Sequence, residues 1–143
     1  MAEERLKTYP YCFGCGDANP VGLQLKHRMD GDRLVTEFVP KEVHQGWPEI
    51  VHGGIIATLL YEAMENLLFH QGVVTMMRGM DTRFRRPATT GKKIIARSWL
   101  LEKNGRNIDV SAELTDESGA VIAEGKASLV VLSQKQLEKL GLD

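Results

Sequence analysis

One stretch of this sequence, Trp47 to His70, restricts the fold most strongly because it predicts a long, buried helix. Its apolar residues recur at the three- and four-residue spacing of a helix that other parts of the chain cover. They are Ile55, Ile56, Leu59, Leu60, Ala63, Met64, Leu67 and Leu68. A helix from His52 to His70 would be roughly 28 Å long. Such a helix needs a sheet that wraps around it.

The rest of the sequence predicts that sheet from residues alternating between apolar and polar. Two strands precede the helix and four follow it as an antiparallel meander: Gly22–Arg28, Arg33–Val39, Met76–Arg86, Lys92–Glu102, Asn107–Thr115 and Ala120–Leu132. Asp30-Gly31 is predicted to turn the first hairpin, and Asn104-Gly105 predicts a type I′ turn. Ser133 and Gln136 have the pattern of a capping box, which predicts a short C-terminal helix over residues 133–141. We expect one domain over residues 1–143, with residues 1–10 poorly ordered.

Composition excludes several classes of function. Hydrophobic residues make up 43% of the 143-residue chain, charged residues make up 26%, and the net charge is −1. This balance is that of an ordinary globular protein and gives no general attraction to nucleic acid or to an anionic membrane. No apolar run approaches the ~20 residues that span a bilayer, and the N-terminus lacks the apolar core of a secretory signal. We expect a cytoplasmic protein.

Cys12 and Cys15 have the CxxC spacing of a zinc or redox motif. A structural zinc normally has four nitrogen or sulfur ligands, and the sequence holds no second CxxC and no HxxxH. A redox pair would need a thioredoxin-like context, which is absent. The favoured interpretation is a tight loop with two partly buried thiols, with no metal site and no cofactor. A zinc ion shared across a dimer is the alternative. His44 and His70 are interpreted as surface or capping residues.

Three segments carry a resemblance to a known family: CFGCGDANPVGLQL, GWPEIVHGGIIATLL and FRRPATTGKKI. With His52-Gly53-Gly54 opening the helix, the chain resembles the hotdog-fold acyl-CoA thioesterases, in particular the PaaI-like phenylacetate-pathway and 4-hydroxybenzoyl-CoA branch. The resemblance implies an α+β fold in which a twisted antiparallel sheet of five to six strands wraps around one long helix. It also implies a homodimer, which can pair into a homotetramer. Its sites lie where one subunit's helix N-terminus faces a carboxylate on the other's helix.

The chemistry of such a site follows from the residues. The first turn of a helix has unpaired N–H groups and a partial positive charge, and Gly53 and Gly54 let a thioester carbonyl approach them. These N–H groups would stabilise the oxyanion, at about 3 kcal/mol per donor. A thiol leaves as thiolate with little acid assistance. One carboxylate, acting as base or nucleophile, is then sufficient.

The family pattern is broken at the catalytic acid. The resemblance implies an Asp or Glu nine residues after the histidine of the HGG motif, and that position is Tyr61. Glu62 follows directly, about 100° around the helix. Glu65 comes four residues after Tyr61 and therefore shares its face. We rank Glu65 above Glu62 as the substitute acid. The alternative is that both lie on a solvated or salt-bridged face.

Four polar residues near the predicted helix are weaker candidates. His52 either contacts the thioester or fixes the turn before the helix by hydrogen bonding to backbone. Gln45 lies in the preceding loop, where family members often place an amide that polarises the carbonyl. Asn66 and Thr58 either line the pocket or make local hydrogen bonds.

Arg83, Arg85 and Arg86 form a basic cluster at the end of a predicted strand. Guanidinium groups suit the phosphates of a coenzyme A tail. Salt bridges to acidic residues on adjacent strands are an equal alternative.

The favoured function is hydrolysis of an acyl-CoA or aryl-CoA thioester, without metal or organic cofactor. The alternative is an acyl-CoA-binding protein without catalysis, because Tyr61 replaces the expected acid. A hotdog dehydratase is a weaker option. A transcription factor is disfavoured because the sequence has neither a helix-turn-helix segment nor a net basic charge. Partners are therefore a coenzyme A thioester and a second copy of the chain, with no nucleic acid and no membrane.

Overall fold

The computed structural model describes residues 9–143, so the expected poor order over residues 1–10 lies mostly outside the described part of the chain. Strands and helices follow one another as β1 (His27–Asp30), β2 (Arg33–Phe38), a 3-10 turn (Glu42–His44), α1 (Gly53–Phe69), β3 (Thr75–Phe84), β4 (Ile94–Asn104), β5 (Asn107–Thr115), β6 (Val121–Val131) and α2 (Gln134–Leu140). None of the described helices is long and apolar enough to cross a membrane.

All six strands form one antiparallel sheet in the order β1-β2-β4-β5-β6-β3. The consecutive neighbours β4, β5 and β6 form the expected meander. The first strand of that meander was predicted wrongly, because β3 pairs with β6 at the far edge while β2 pairs with β4. The physical reason is α1, which packs across β2 to β6 and delivers the chain to the opposite edge of the sheet. Local alternation in the sequence does not reveal this crossing.

The core lies between α1 and the concave face of the sheet. From the helix, the fully buried apolar side chains are Leu59, Leu60, Ala63, Met64 and Leu67. From β5, the alternating residues Ile108, Val110, Ala112 and Leu114 are buried, as their pattern predicts. Gly125 on β6 leaves room for Met64, since a Cβ there would lie 3.1 Å from Met64 Cε. Truncating one of these leucines to alanine would cost about 2–5 kcal/mol. The predicted fold class, a sheet wrapped around one helix, is confirmed.

The two tight hairpins differ from prediction by one residue. Asp30 pairs with Arg33 and Asn104 pairs with Asn107, so the central residues are Gly31-Asp32 and Gly105-Arg106. Gly31 and Gly105 each have φ of 62°, while the second central residues have negative φ. A positive φ at the first central position alone fits a type II′ turn and excludes the predicted type I′.

The segment from residue 9 to residue 25 is a loop that lies against the middle of α1. Strand β1 begins at His27 instead of the predicted Gly22, because the preceding residues pair with this loop. Leu23 N–H donates to Phe13 O at 2.9 Å and Leu25 N–H donates to Gly14 O at 2.9 Å. Leu23 and Leu25 are both buried in the core. The loop is therefore part of the fold, and it covers one side of the helix.

The helix ends agree with their sequence signatures. Helix α1 has 17 residues between His52 as N-cap and His70 as C-cap, which makes it somewhat shorter than predicted. Helix α2 begins with the predicted capping box of Ser133 and Gln136 and ends at Gly141, whose φ is 70°.

Candidate functional site

The N-terminus of α1 presents one backbone N–H without a partner. His52 caps the helix: its Nδ1 accepts a hydrogen bond from Gly54 N–H at 2.8 Å. The His52 ring therefore fixes the turn by accepting a hydrogen bond from the backbone. The same bond occupies Gly54 N–H, one of the two predicted oxyanion donors. Within the described residues, Gly53 N–H has no hydrogen-bond partner. A shallow cavity of about 350 Å³ lies beside it, lined by Gly46, Trp47, Val51, His52 and Gly53.

Two other candidates lie at this end of the helix. Gln45 forms an isolated backbone bridge with Val51, directly before the cap residue. Thr58 donates its hydroxyl to Gly54 O at 2.8 Å, which is the local hydrogen bond that the sequence left as one alternative. Phe84 lies within van der Waals reach of position 53, since a Cβ on Gly53 would meet its ring at 3.7 Å.

A second cavity, of about 320 Å³, opens against the middle of α1 and holds the acidic candidates. Four parts of the chain build it: the N-terminal loop, the helix, the start of β3 and the C-terminus. Its lining residues are Tyr9, Cys12, Cys15, Tyr61, Glu62, Glu65, Asn66, Phe69, Val74, Thr75 and Leu142. The structure thus brings together Tyr61, Glu62, Glu65 and Asn66, which were predicted, with Cys12, Cys15 and Thr75, which were not assigned to a site.

Glu65 has the surroundings expected of a general base. Thr75 donates its hydroxyl to Glu65 Oε1 at 3.3 Å, while the buried Oε2 has no partner among the described residues. Burial raises the pKa of Glu65 to about 7, the hydrogen bond from Thr75 opposes that rise, and nearby Glu62 adds to it. A carboxyl group with a pKa near 7 is present in both protonation states at neutral pH, and no protein donor occupies its second oxygen.

Glu62 is more completely enclosed than Glu65. Only 8% of the residue is exposed, and Asn66 Nδ2 donates to its Oε2 at 2.9 Å and to its backbone O at 2.9 Å. Gly14 of the N-terminal loop lies directly on it, since a Cβ at position 14 would be 2.1 Å from Glu62 Cδ. Burial raises the pKa of Glu62, and the Asn66 hydrogen bond opposes that rise.

Tyr61 lies at the mouth of the same cavity with 38% of the residue exposed. Burial raises the pKa of its phenol, and Glu65 and Glu62 raise it further. The side chain therefore remains a neutral hydrogen-bond donor at physiological pH and does not act as a base.

The thiols of the N-terminal loop face this cavity as well. Cys15 N–H points at Cys12 Sγ at 3.4 Å, and both cysteines are unpaired thiols. Burial raises the pKa of Cys15 to about 12, with Cys12 and Glu62 contributing to the rise. On the far side of Glu62 lies His27, whose pKa burial lowers to about 4, so its ring is neutral. The separation of 3.9 Å between His27 Nε2 and Glu62 Oε2 is therefore neither an ion pair nor a hydrogen bond.

The arginine cluster lies on the opposite face of the sheet. Arg83 and Arg85 line a polar groove of about 400 Å³ with Trp99 and other outward-facing residues of β4 to β6. Arg85 pairs with Glu124 at 3.0 Å, and Arg83 lies 3.5 Å from Asp81. Arg86 is held at the strand end by its backbone N–H, which donates to Ile122 O. Within one chain, the structure does not bring these guanidinium groups to the acidic cavity.

The candidate oxyanion donor and the candidate base are also far apart within one chain. Gly53 and Glu65 are 12 residues apart on the same helix, which corresponds to about 18 Å along its axis. No single thioester carbonyl can contact both groups of one chain.

Comparison with known proteins decides the family. The model of the thioesterase-like superfamily matches residues 48–141, which is more than half of the chain. The chain belongs to that superfamily. No curated protein matches it.

Solved thioesterase structures share the hotdog fold of this superfamily member. A thioesterase superfamily protein superposes with a TM-score of 0.79 at 20% identity over 85% of this chain, which spans 60% of that protein's length. The E. coli PaaI protein from the phenylacetic acid degradation operon has a TM-score of 0.73 at 16% identity, covering 78% of this chain and 81% of its own. A hypothetical thioesterase from Streptococcus pneumoniae TIGR4, solved with coenzyme A, has a TM-score of 0.72 at 11% identity, covering 77% and 90%.

Proposed function

We propose that this protein hydrolyses an acyl-CoA or aryl-CoA thioester, with Glu65 as general base. The observation that carries the proposal is the Glu65 carboxyl group, which has one oxygen held by Thr75, one oxygen unpaired, and a pKa raised to about 7. Membership of the thioesterase-like superfamily supports the reaction class. The S. pneumoniae relative solved with coenzyme A supports the choice of leaving group.

The reaction proceeds by addition of water and loss of thiolate. Glu65 takes a proton from water as the oxygen attacks the carbonyl carbon, and the carbonyl oxygen becomes an oxyanion. Gly53 N–H stabilises that oxyanion at the positive end of α1. The tetrahedral intermediate then collapses, the carbon–sulfur bond breaks, and coenzyme A leaves as a thiolate that recovers the proton from Glu65. The products are a carboxylic acid and free coenzyme A.

The proposed site requires two subunits. Because Gly53 and Glu65 of one chain are about 18 Å apart, the oxyanion donor and the base come from different copies in a homodimer. The long edge strand β3 supports this arrangement, since it pairs with β6 on one side only. Met76, Met80 and Phe84 on that strand are exposed apolar residues that a second copy would cover.

The experiment is a panel of acyl-CoA and aryl-CoA esters with detection of free thiol. We expect turnover of at least one ester, and we expect Glu65→Gln to lower kcat/KM about 10²–10⁴-fold, the usual contribution of a general base. Glu65→Asp keeps the carboxylate and serves as the matched control, with a smaller loss. Full activity of the Glu65→Gln variant would show that another group is the base.

A second candidate function, binding of an acyl-CoA without hydrolysis, is favoured by Tyr61. This phenol stands where the family resemblance implies an acid, and its raised pKa keeps it protonated. Calorimetry with a non-hydrolysable thioether analogue, followed by incubation with the ester, separates the two functions. Binding with intact ester recovered, together with turnover gained in Tyr61→Asp, would identify a binding protein.

A further inference from the structure

The N-terminal loop places the two cysteines against Glu62 in a cluster that the proposed hydrolysis does not use. One ligand atom from each of Cys12, Cys15 and Glu62 lies within 4.8 Å of the others. The three residues come from two parts of the chain about 50 positions apart in sequence, so only the fold creates the cluster.

A fourth donor lies next to Glu62, on the side away from the cavity. His27 has a side chain that is only 2% exposed, and its Nε2 is buried with no hydrogen-bond partner among residues 9–143. That nitrogen is 3.9 Å from Glu62 Oε2. A buried, unpartnered ring nitrogen is costly unless something binds it, which makes it an independent indication of a ligand.

We propose that Cys12, Cys15, Glu62 and His27 bind one zinc ion, which fastens the N-terminal loop to helix α1. Two thiolates, one imidazole and one carboxylate form a donor set that suits tetrahedral Zn²⁺. Zinc bonds of about 2.0 Å to nitrogen or oxygen and 2.3 Å to sulfur place ligand atoms roughly 3.3–3.8 Å apart. The ligand atoms of Cys12, Cys15 and Glu62 lie within 4.8 Å of one another and reach that range with small side-chain rotations. His27 Nε2 is 3.9 Å from Glu62 Oε2 but lies outside that group of three, so the His27 ring must move toward the thiols when zinc binds. Binding displaces one proton from each thiol.

The surroundings of the four ligands fit this assignment. Thr36 Oγ1 lies 2.5 Å from His27 Nδ1, which leaves Nε2 as the ligating nitrogen when Nδ1 carries the proton. Asn66 Nδ2 donates to Glu62 Oε2 at 2.9 Å and orients the carboxylate. Cys15 N–H points at Cys12 Sγ, where it would stabilise a thiolate. Gly14 of this loop lies against the Glu62 carboxyl group, and a Cβ at that position would displace the carboxylate from its present place.

The site gives the two glutamates separate roles. Glu62 would be held by the metal, while Glu65 remains free in the cavity as the proposed base. The zinc is therefore a structural ion at the floor of that cavity, and its presence is independent of whether thioesters are hydrolysed.

The test measures metal directly and does not depend on activity. The full chain is expressed in zinc-supplemented medium, purified under reducing conditions and analysed by mass spectrometry of the elements. We expect about one zinc per chain, the stoichiometry of a single four-ligand site. The chain stripped with a chelator is then titrated with Co²⁺, and we expect the near-ultraviolet absorption of thiolate-to-cobalt charge transfer. The melting temperature of the stripped protein should rise when zinc is added back.

Variants assign the ligands, with a matched control for the glutamate and for the histidine. The double variant Cys12→Ser/Cys15→Ser and the variant Glu62→Gln should lose the metal, and His27→Gln should bind it at least about 10-fold more weakly. Glu65→Gln, a neighbouring acid, and His70→Gln, whose ring lies 5.7 Å from that of His27, should bind it as the parent chain does.

Three results would overturn the proposal, and the first needs only the parent chain. They are absence of zinc together with no charge-transfer band on Co²⁺ addition, unchanged zinc in the double cysteine variant, and unchanged affinity in His27→Gln. None of them bears on thioester hydrolysis, so failure here is distinct from failure of the proposed function.

Discussion

Glu62 and Glu65 are three residues apart on one helix, yet their surroundings differ. Glu62 is covered by the N-terminal loop and bonded to Asn66, while Glu65 has a hydroxyl on one oxygen and a second, buried oxygen without a partner among the described residues. Both pKa values are raised, chiefly by burial. Because a base needs an oxygen that no protein donor occupies, the unpaired Oε2 of Glu65 favours Glu65 over Glu62 for catalysis.

The raised pKa of Glu65 predicts a pH-dependent rate. Only the ionised carboxylate accepts a proton, so kcat/KM should rise with pH through a midpoint near the pKa of about 7 and then level off. The measurement is kcat/KM between pH 5 and pH 9 with a neutral thioester. A profile that is flat across this range would contradict the role of Glu65.

Stability should change with pH in the opposite direction. The folded-state pKa of Glu65 lies above its ordinary value of 4.5, so its contribution is fully present below 4.5 and is lost as pH rises through about 7. Urea unfolding should therefore show the parent losing stability relative to Glu65→Gln between these pH values. A difference that does not vary with pH would show that folding does not shift the pKa of this carboxyl group.

At the scale of elements, the ability of the first turn of α1 to stabilise an oxyanion depends on which of its N–H groups have no hydrogen-bond partner. Gly53→Pro removes the unpaired N–H, and proline fits the first position of a helix without loss of a backbone hydrogen bond. His52, with φ −58° and ψ 135°, already has the conformation that precedes proline. We expect kcat to fall about 10²–10³-fold, as when an oxyanion donor is removed.

Gly53→Ala is the matched control for that substitution. It keeps the N–H and adds a Cβ at an ordinary 3.7 Å from the Phe84 ring. Activity near that of the parent in Gly53→Ala, with loss in Gly53→Pro, would isolate the donor. Equal losses in both variants would indicate a steric effect instead.

The cap itself is a stability element. His52→Ala removes the acceptor of Gly54 N–H and should lower the free energy of unfolding by about 1 kcal/mol. His52→Asn supplies another favourable capping group and should recover most of that loss. Chemical denaturation of the three proteins measures the effect, and identical stability of His52→Ala and the parent would show that the ring contributes nothing.

At the scale of the whole molecule, the separation of Gly53 from Glu65 predicts complementation between subunits. Dimers mixed from Gly53→Pro and Glu65→Gln chains contain one site with an intact donor and an intact base. In a statistical mixture half of the dimers are of this kind, so about a quarter of the parental activity should return. Each variant alone supplies the control, and no recovery in verified mixed dimers would contradict a site shared between subunits.

Much of the fold could be predicted from local sequence patterns. The apolar periodicity of residues 55–68, the alternation along β5 and the capping box at Ser133 each depend on neighbours close in sequence, and each was confirmed. The position of β3 was not predictable in this way, because α1 carries the chain from one edge of the sheet to the other before that strand begins.

The candidate site also has features that could be predicted from local sequence and features that only the tertiary fold creates. The HGG motif could be identified from its resemblance to the thioesterase family, and the two glutamates from helix geometry, which fixes the residues that share a face. Three contacts were decided only in three dimensions. Cys12, Cys15 and His27 lie near Glu62. Thr75 donates a hydrogen bond to Glu65, and His52 accepts one from Gly54 N–H. The sequence by itself determined both helices, the approximate positions of the strands and the chemical groups on α1, since these depend on contacts within a few residues. The tertiary structure decided which of those groups are buried, paired or free, because burial and pairing depend on segments far apart in the chain.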